Sequence, residues 1–376
     1  MVVTVIAKNT SLLVAICRFE LPEKGENMRL VILSLFATAC AATESTSQDL
    51  ESESENIGSE EEFEGEEEFE GEEEFEGEEE FEGEEEFEGE EEGLLTNNDP
   101  ISSLSVGITE FILNQVVAGQ TVQRRFLVHT PDTFDSSQNI PLLFAFHGNG
   151  GTPEITLTEA IQAVEDGLFI GVYPDGLEYS WNLGPEASEA DDVAFTDGIL
   201  GMLTGTPGVD STKPVAMGFS NGAGMVHELA MESQNFVAIA AATSHMLATK
   251  TPDSEAANVS VIQFSGTEDT LVPYQGGIGV LEHNFLHAED STAEWAAHNG
   301  CNSNPNMSAD IDGPEVETAP GVFSLSSYTL LEWENCATGA KVVHFRMNNI
   351  GHDLPYDMID GGSMTYIYNF LLQARQ

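Results

Sequence analysis

Ser220 lies in the stretch Gly218-Phe219-Ser220-Asn221-Gly222. The pattern G-x-S-x-G allows a strand to reverse sharply into a helix with the serine hydroxyl held outward, because the two glycines leave room for the close backbone approach. The alternative is a small residue in a glycine-rich loop, and the rest of the chain must decide between them. A serine hydroxyl acts as a nucleophile at neutral pH only beside a general base, and the base needs a carboxylate to orient it. Asp269, in Gly266-Thr267-Glu268-Asp269, is the candidate acid; Glu268 is its rival, and a plain turn-capping role is the alternative for Asp269 itself. His352, in Asn349-Ile350-Gly351-His352, is the candidate base. His344 falls inside a predicted strand and reads as structural, and His298 is the best of the remaining histidines. Acyl transfer also needs backbone donors for a developing oxyanion. The Asn221 amide, directly after the nucleophile, is one choice. The second comes from His147-Gly148-Asn149-Gly150-Gly151, with Asn149 first and Gly150 next. This chemistry calls for no metal and no cofactor, and none is expected.

Such residues need a scaffold that brings them together from 200 positions apart. Continuous apolar runs at 142–146, 168–173, 214–217 and 259–264 read as strands buried on both faces, with further strands at 123–129 and 342–346. Helical patterns fall between them at about 154–165, 191–204, 222–233 and 288–299. Strand and helix alternate, which predicts an α/β fold, a mostly parallel sheet flanked by helices. Ser220 then follows a strand and opens a helix, while Asp269 and His352 each follow a strand, the end where open sheets place working residues. The order serine, acid, histidine is that of the α/β-hydrolase fold. A last helix at about 362–374 runs almost to Gln376, so no appended C-terminal domain is expected.

These motifs, with Arg125-Phe126-Leu127-Val128-His129-Thr130-Pro131, Tyr173-Pro174-Asp175-Gly176, Trp181 and Asp191-Asp192-Val193-Ala194-Phe195, resemble the exported α/β hydrolases labelled poly(3-hydroxybutyrate) depolymerases, which overlap with feruloyl and acetyl-xylan esterases. The resemblance spans roughly residues 105–374. It implies a triad of Ser220, Asp269 and His352, oxyanion amides at Asn149 and Asn221, and a substrate cleft lined by Trp181, with His147 and Gly150 also assigned to substrate. It also suits a Cys301–Cys336 bridge. After the histidine the family has Thr-Trp-Pro, whereas this chain reads Asp353-Leu354-Pro355. With that aromatic lost and no polymer-binding domain expected, the reading moves towards soluble or oligomeric esters rather than a flat polymer surface.

Outside residues 94–376, read as the catalytic domain, the chain is of another kind. Residues 41–93 hold 28 of the 66 acidic residues and no Lys or Arg, and from Phe63 the unit F-E-G-E-E-E occurs five times. Six residues turn through about 600° on a helix, so the phenylalanines form no stripe. Charge repulsion and chain entropy then favour a disordered tether over any packed element; capture of cations or a basic partner is the alternative. Residues 94–376 carry 35 acids against 7 bases. That balance excludes a nucleic-acid partner, which requires clustered Lys and Arg, and suits a neutral ester, oligomeric or polymeric. Met28-Arg29 followed by a short apolar run to Cys40 reads as an export signal, too short for a transmembrane helix. Ala37-Thr38-Ala39-Cys40 resembles a lipobox in which Cys40 would be lipidated, with ordinary signal cleavage the alternative. Residues 1–40 are thus a leader and signal, with Met28 the expected start. Exported, Cys301 and Cys336 would form one disulfide; two buried thiols are the alternative. The expected protein is an exported or cell-surface monomeric serine esterase, its membrane link confined to the lipid anchor. The rival is an acidic surface lipoprotein whose repeat does the work and whose hydrolase fold is a scaffold.

Overall fold

A computed structural model describes residues 98–319 and 322–376. The signal, Cys40 and the acidic repeat lie outside these residues. The chain begins with a long hairpin, β1 (Gly107–Val117) and β2 (Gln120–Thr130), followed by β3 (Asn139–Phe146), α1 (Pro153–Glu165), β4 (Ile170–Pro174), α2 (Asp192–Leu203), β5 (Gly208–Phe219), α3 (Asn221–Glu232), β6 (Ala238–Ala242) and β7 (Ser260–Gly266). Next come a small ribbon, β8 (Gly277–Ile278) with β9 (Asn284–Phe285), then α4 (Ala288–His298), β10 (Asn306–Met307), β11 (Ile311–Ala319), β12 (Val322–Trp333), β13 (Val342–Asn348) and α5 (Ser363–Ala374).

The main sheet runs β1-β2-β4-β3-β5-β6-β7-β13-β12-β10, with β11 paired to β12. From β4 to β13 every neighbouring pair is parallel, while β2 meets β4 and β12 meets β13 antiparallel. Strands β4, β6 and β7 are buried along their whole length, as the apolar runs require when helices cover both faces. Two apolar layers result, one on each side of the sheet. One contains Phe144, Trp181, Phe195 and Trp295, and the other Phe169, Tyr173, Phe264 and Phe345. This is the α/β-hydrolase fold expected from the sequence.

The expected helices agree with the observed ones to within about one residue at each end. β6 is the central strand that sequence reasoning missed. Its sequence, AIAAA, is rich in a residue with little strand preference, so burial on both faces overrides local propensity. The antiparallel β10–β12 region was likewise unread.

Candidate active site

Ser220 stands between β5 and α3 with φ +53° and ψ −119°, a conformation that L-residues rarely adopt. Such strain persists only where the surroundings enforce it. The Ser220 amide is held from below by the Ala242 carbonyl (2.9 Å) and Thr243 Oγ1 (3.1 Å), at the end of the neighbouring β6. Gly222 is needed for the same turn: a Cβ there would come within 2.3 Å of the Phe146 carbonyl oxygen. The strand end that carries the glycine-rich loop is therefore pressed directly against the helix that Ser220 opens.

Ser220 Oγ donates to His352 Nε2 at 2.8 Å, and His352 Nδ1 donates to Asp269 Oδ2 at 2.7 Å. The three residues come from the ends of β5, β7 and β13, and β7 lies between β6 and β13 in the sheet. The Asp269 side chain is almost fully buried, and its other oxygen accepts the amides of Leu271 (2.8 Å) and Val272 (2.9 Å). Both carboxylate oxygens are thus committed, one to fixing its own loop and the other to the imidazole. Accepting the Nδ1 proton leaves Nε2 free to accept from the serine. The base loop is placed by Gly266, where a Cβ would lie 2.2 Å from the Gly351 carbonyl oxygen. Glu268 is exposed, and its amide donates to the Ile350 carbonyl (2.9 Å). It braces the base loop; Asp269 meets the imidazole. His344 is fully buried, and burial pushes its ring down to about 3, so it is a neutral core histidine as expected. His298 Nε2 contacts the Ala257 carbonyl (3.2 Å) rather than Ser220 or Asp269.

The two expected amides differ in kind from the third. Asn221 is the first residue of α3, where an amide has no intrahelical partner. The Asn149 amide takes no partner among the described residues, and Gly148 beside it lies against Ser220, with an added Cβ 3.4 Å from the serine Cβ. The Gly150 amide is already given to the Tyr179 carbonyl at 2.7 Å. Gly150, exposed with φ +77°, serves the turn and not the oxyanion position.

Two assignments to substrate need correction. Trp181 is fully buried and does not line an open cleft. Its indole Nε1 donates to the His147 carbonyl at 2.7 Å, and the ring packs edge-on to Phe146, so it supports the glycine-rich loop from behind. His147 is buried too: Nε2 accepts the Gly176 amide (3.0 Å), which puts the ring proton on Nδ1, donating to the Gly148 carbonyl (2.8 Å). Burial lowers its basicity, partly offset by the Gly148 bond, and the ring is a neutral brace. The physical reason is common to both. An amphipathic ring whose polar atom can reach a backbone group gains more from a satisfied place in the core than from solvent.

Sequence reasoning also missed the groups that hold the 177–191 segment over the site. Arg124 and Asp192, both nearly fully buried, pair at 2.8 Å; Asp192 Oδ2 accepts the Asn182 amide, and Arg124 stacks over Phe195. The Asp191-Asp192-Val193-Ala194-Phe195 motif is therefore a cap and clamp, with Asp191 accepting the Ala194 amide at the helix start. Thr243, Glu186 and His283 carry no local pattern that would have marked them. Among the described residues no group of His, Cys, Asp and Glu is arranged to hold a metal, and no helix is long and apolar enough to cross a membrane.

No family model matches the chain. It is similar to feruloyl esterase B of Piromyces equi, 29% identical over 244 residues, which cover 61% of this chain and 42% of that protein. The chain thus spans less than half the length of this relative. It is also similar to a protein of Aspergillus clavatus named "Probable feruloyl esterase C", 26% identical over 239 residues, 61% of this chain and 76% of that one. Among solved structures, an acetyl xylan esterase from Aspergillus awamori aligns with 14% identity and a TM-score of 0.47, covering 70% of this chain and 99% of the other. Fold and site together define the class by architecture: the chain has the α/β-hydrolase fold, with a serine, a histidine and an aspartate in one hydrogen-bonded line.

Proposed function

We propose that this protein is an exported serine carboxylic-ester hydrolase with Ser220, His352 and Asp269 as its catalytic triad. The observation that carries the reading is the continuous line from Ser220 Oγ through His352 to Asp269 Oδ2, with bonds of 2.8 and 2.7 Å. Ser220 Oγ attacks the ester carbonyl while His352 Nε2 takes its proton. The amides of Asn149 and Asn221 receive the oxyanion, and His352 returns the proton to the leaving alcohol. Water, activated by the same imidazole, then attacks the acyl-enzyme and releases the acid. Asp269 keeps the imidazole in the required tautomer and stabilises it when charged.

The substrate class is a neutral ester with an apolar or aromatic acyl group, either a polysaccharide-linked acyl ester, with feruloyl the acyl group that the relatives' names carry, or a hydroxyalkanoate oligomer. Tyr179 and Leu271, which are 61% and 46% exposed, support an apolar acyl group. Tyr179 adjoins the glycine-rich loop, and Leu271 follows Asp269 by two positions. Export rests on the basic and apolar segment ending at Cys40, and lipidation there belongs to the same proposal. Purified protein assayed on p-nitrophenyl acetate and butyrate, ferulate esters and hydroxybutyrate oligomers tests the reading. Ser220→Ala and His352→Ala should each remain folded and lose about 10⁴-fold or more in kcat, without adding in the double variant. Retention of more than a few per cent of activity by either would overturn the triad.

A further inference from the structure

Asn221 contributes more than a backbone amide to its surroundings. Its side-chain oxygen accepts the Trp181 amide (2.7 Å) and Ser180 Oγ (3.2 Å), and its nitrogen donates to the Trp181 carbonyl (3.0 Å) and to Glu186 Oε1 (3.2 Å). All four hydrogen-bonding positions of the carboxamide are filled. The Glu186 carboxylate, its side chain 1% exposed, also accepts the Leu183 amide at Oε2 (2.8 Å) and His283 Nε2 at Oε1 (2.7 Å). Burial alone would raise the Glu186 carboxyl, but its hydrogen bonds, that of His283 foremost, outweigh this and hold it below its ordinary value.

His283 belongs to a different part of the chain. It follows the single turn Val280–Glu282, whose Val280 amide donates to the Leu271 carbonyl (2.8 Å), and the Leu271 amide donates to Asp269. A second line of contacts therefore joins the acid loop to the nucleophile elbow: Asp269, Leu271, Val280, His283, Glu186, Asn221. It bypasses His352 entirely. The turn Leu281-Glu282 on this line, and the turn Glu178-Tyr179 that precedes the Ser180 bonded to Asn221, each hold two successive non-glycine residues at positive φ. Such conformations persist only where the surrounding structure over-determines them.

We propose that Glu186 and His283 are positioning residues which, through the Asn221 carboxamide, fix the Asn221 amide as an oxyanion donor; this rests on the serine-esterase reading above. The first amide of a helix has no intrahelical bond to orient its peptide plane, and a donor must meet the oxyanion at about 2.7–3.1 Å to be effective. Anchoring the side chain of the same residue at four points supplies that orientation. His283 Nε2 donates to the same carboxylate oxygen that the Asn221 nitrogen reaches, and so fixes Glu186 against the carboxamide.

The test compares Glu186→Ala, Glu186→Gln, Asn221→Ala and the double variant Glu186→Ala/Asn221→Ala with the parent protein on p-nitrophenyl acetate, with Ser220→Ala as control. Asn221→Ala keeps the backbone amide and a strong helix former, so it remains a usable variant if Glu186→Ala folds poorly. Asn221→Ala and Glu186→Ala should each lower kcat about 10–100-fold with KM within about twofold, and the double variant should be no worse than Asn221→Ala. Glu186→Gln should recover only part of the loss: its amide oxygen still accepts from His283 and Asn221, but its NH2 replaces the Oε2 that accepts the Leu183 amide. The acid limb of the pH profile should stay in place, because the base is untouched. Unchanged kcat in Asn221→Ala, a loss confined to KM, additive losses, or a shifted acid limb would each overturn the proposal. Turnover surviving in Ser220→Ala would sink the triad and this proposal together, whereas an inactive Ser220→Ala beside a fully active Asn221→Ala would sink only the positioning role.

Discussion

Glu159, on α1, carries a carboxyl with no hydrogen-bond partner for its Oε2, and burial pushes its pKa from 4.5 up to about 7. Burial first, and then the nearby Glu159 charge, opposes ionisation of the Tyr356 and Tyr368 hydroxyls. The folded-state value is raised above the unfolded one, so the contribution of the neutral form is fully present below pH 4.5 and is lost as the pH rises through about 7. Glu159→Gln should therefore leave the melting temperature where it is at pH 4.5 and raise it by about 2–4 °C at pH 8. A fall at pH 8 would show that the carboxylate has a stabilising partner after all. Ser220, Asp269 and His352 differ from Glu159 in that each polar atom has a bond to a named group. They were legible because each sits in a short motif after a strand. Glu186 and His283 were not: 97 residues separate them, neither lies in a motif, and only folding makes them neighbours. Trp181 was assigned to the substrate cleft through the family resemblance, but a fragment of sequence does not tell which face of an indole meets solvent.

Strand ends carry the site, and the elements behind them determine how well those ends are held. Cys301 and Cys336 are joined by a disulfide that ties the end of α4 to the connection between β12 and β13. The Asn302 amide donates to the Glu334 carbonyl (2.8 Å) across the same junction. β13 then pairs in parallel with β7 from Val342↔Val261 to Met347↔Gly266, which places the His352 loop beside the Asp269 loop. Closing a loop with a sequence separation of 35 stabilises the native state by about 2–4 kcal/mol. Calorimetry in reductant should show melting about 5–15 °C lower, with the acid limb of activity unmoved because no triad bond is cut. An unchanged melting temperature would mean that strand pairing alone holds this junction. The helices could be read from the sequence because they fill the spans between the apolar strand runs, and strand and helix alternate. β6 escaped because alanine fits either element, and parallel pairing with β5 and β7 settles the choice.

For the whole molecule, the acidic repeat and the hydrolase fold pose the remaining question of which part works. If the fold is the catalyst, deleting residues 63–92 should leave kcat and KM for a small soluble ester within about twofold, since the segment supplies neither nucleophile, base nor oxyanion donor. A loss of tenfold or more would favour the repeat as the working part and the fold as its scaffold. The sequence by itself determined the fold class and brought forward Ser220, Asp269 and His352 as candidates in the order serine, acid, histidine, because apolar runs and strand-end motifs are local properties of a chain. Tertiary structure alone decided that the Gly150 amide is spent on Tyr179, that Trp181 and His147 face inward, and that Glu186 and His283 meet beside Asn221. Each of these depends on which polar group a buried atom finds as its partner. That partner lies on a distant segment, and no local pattern in the chain can name it.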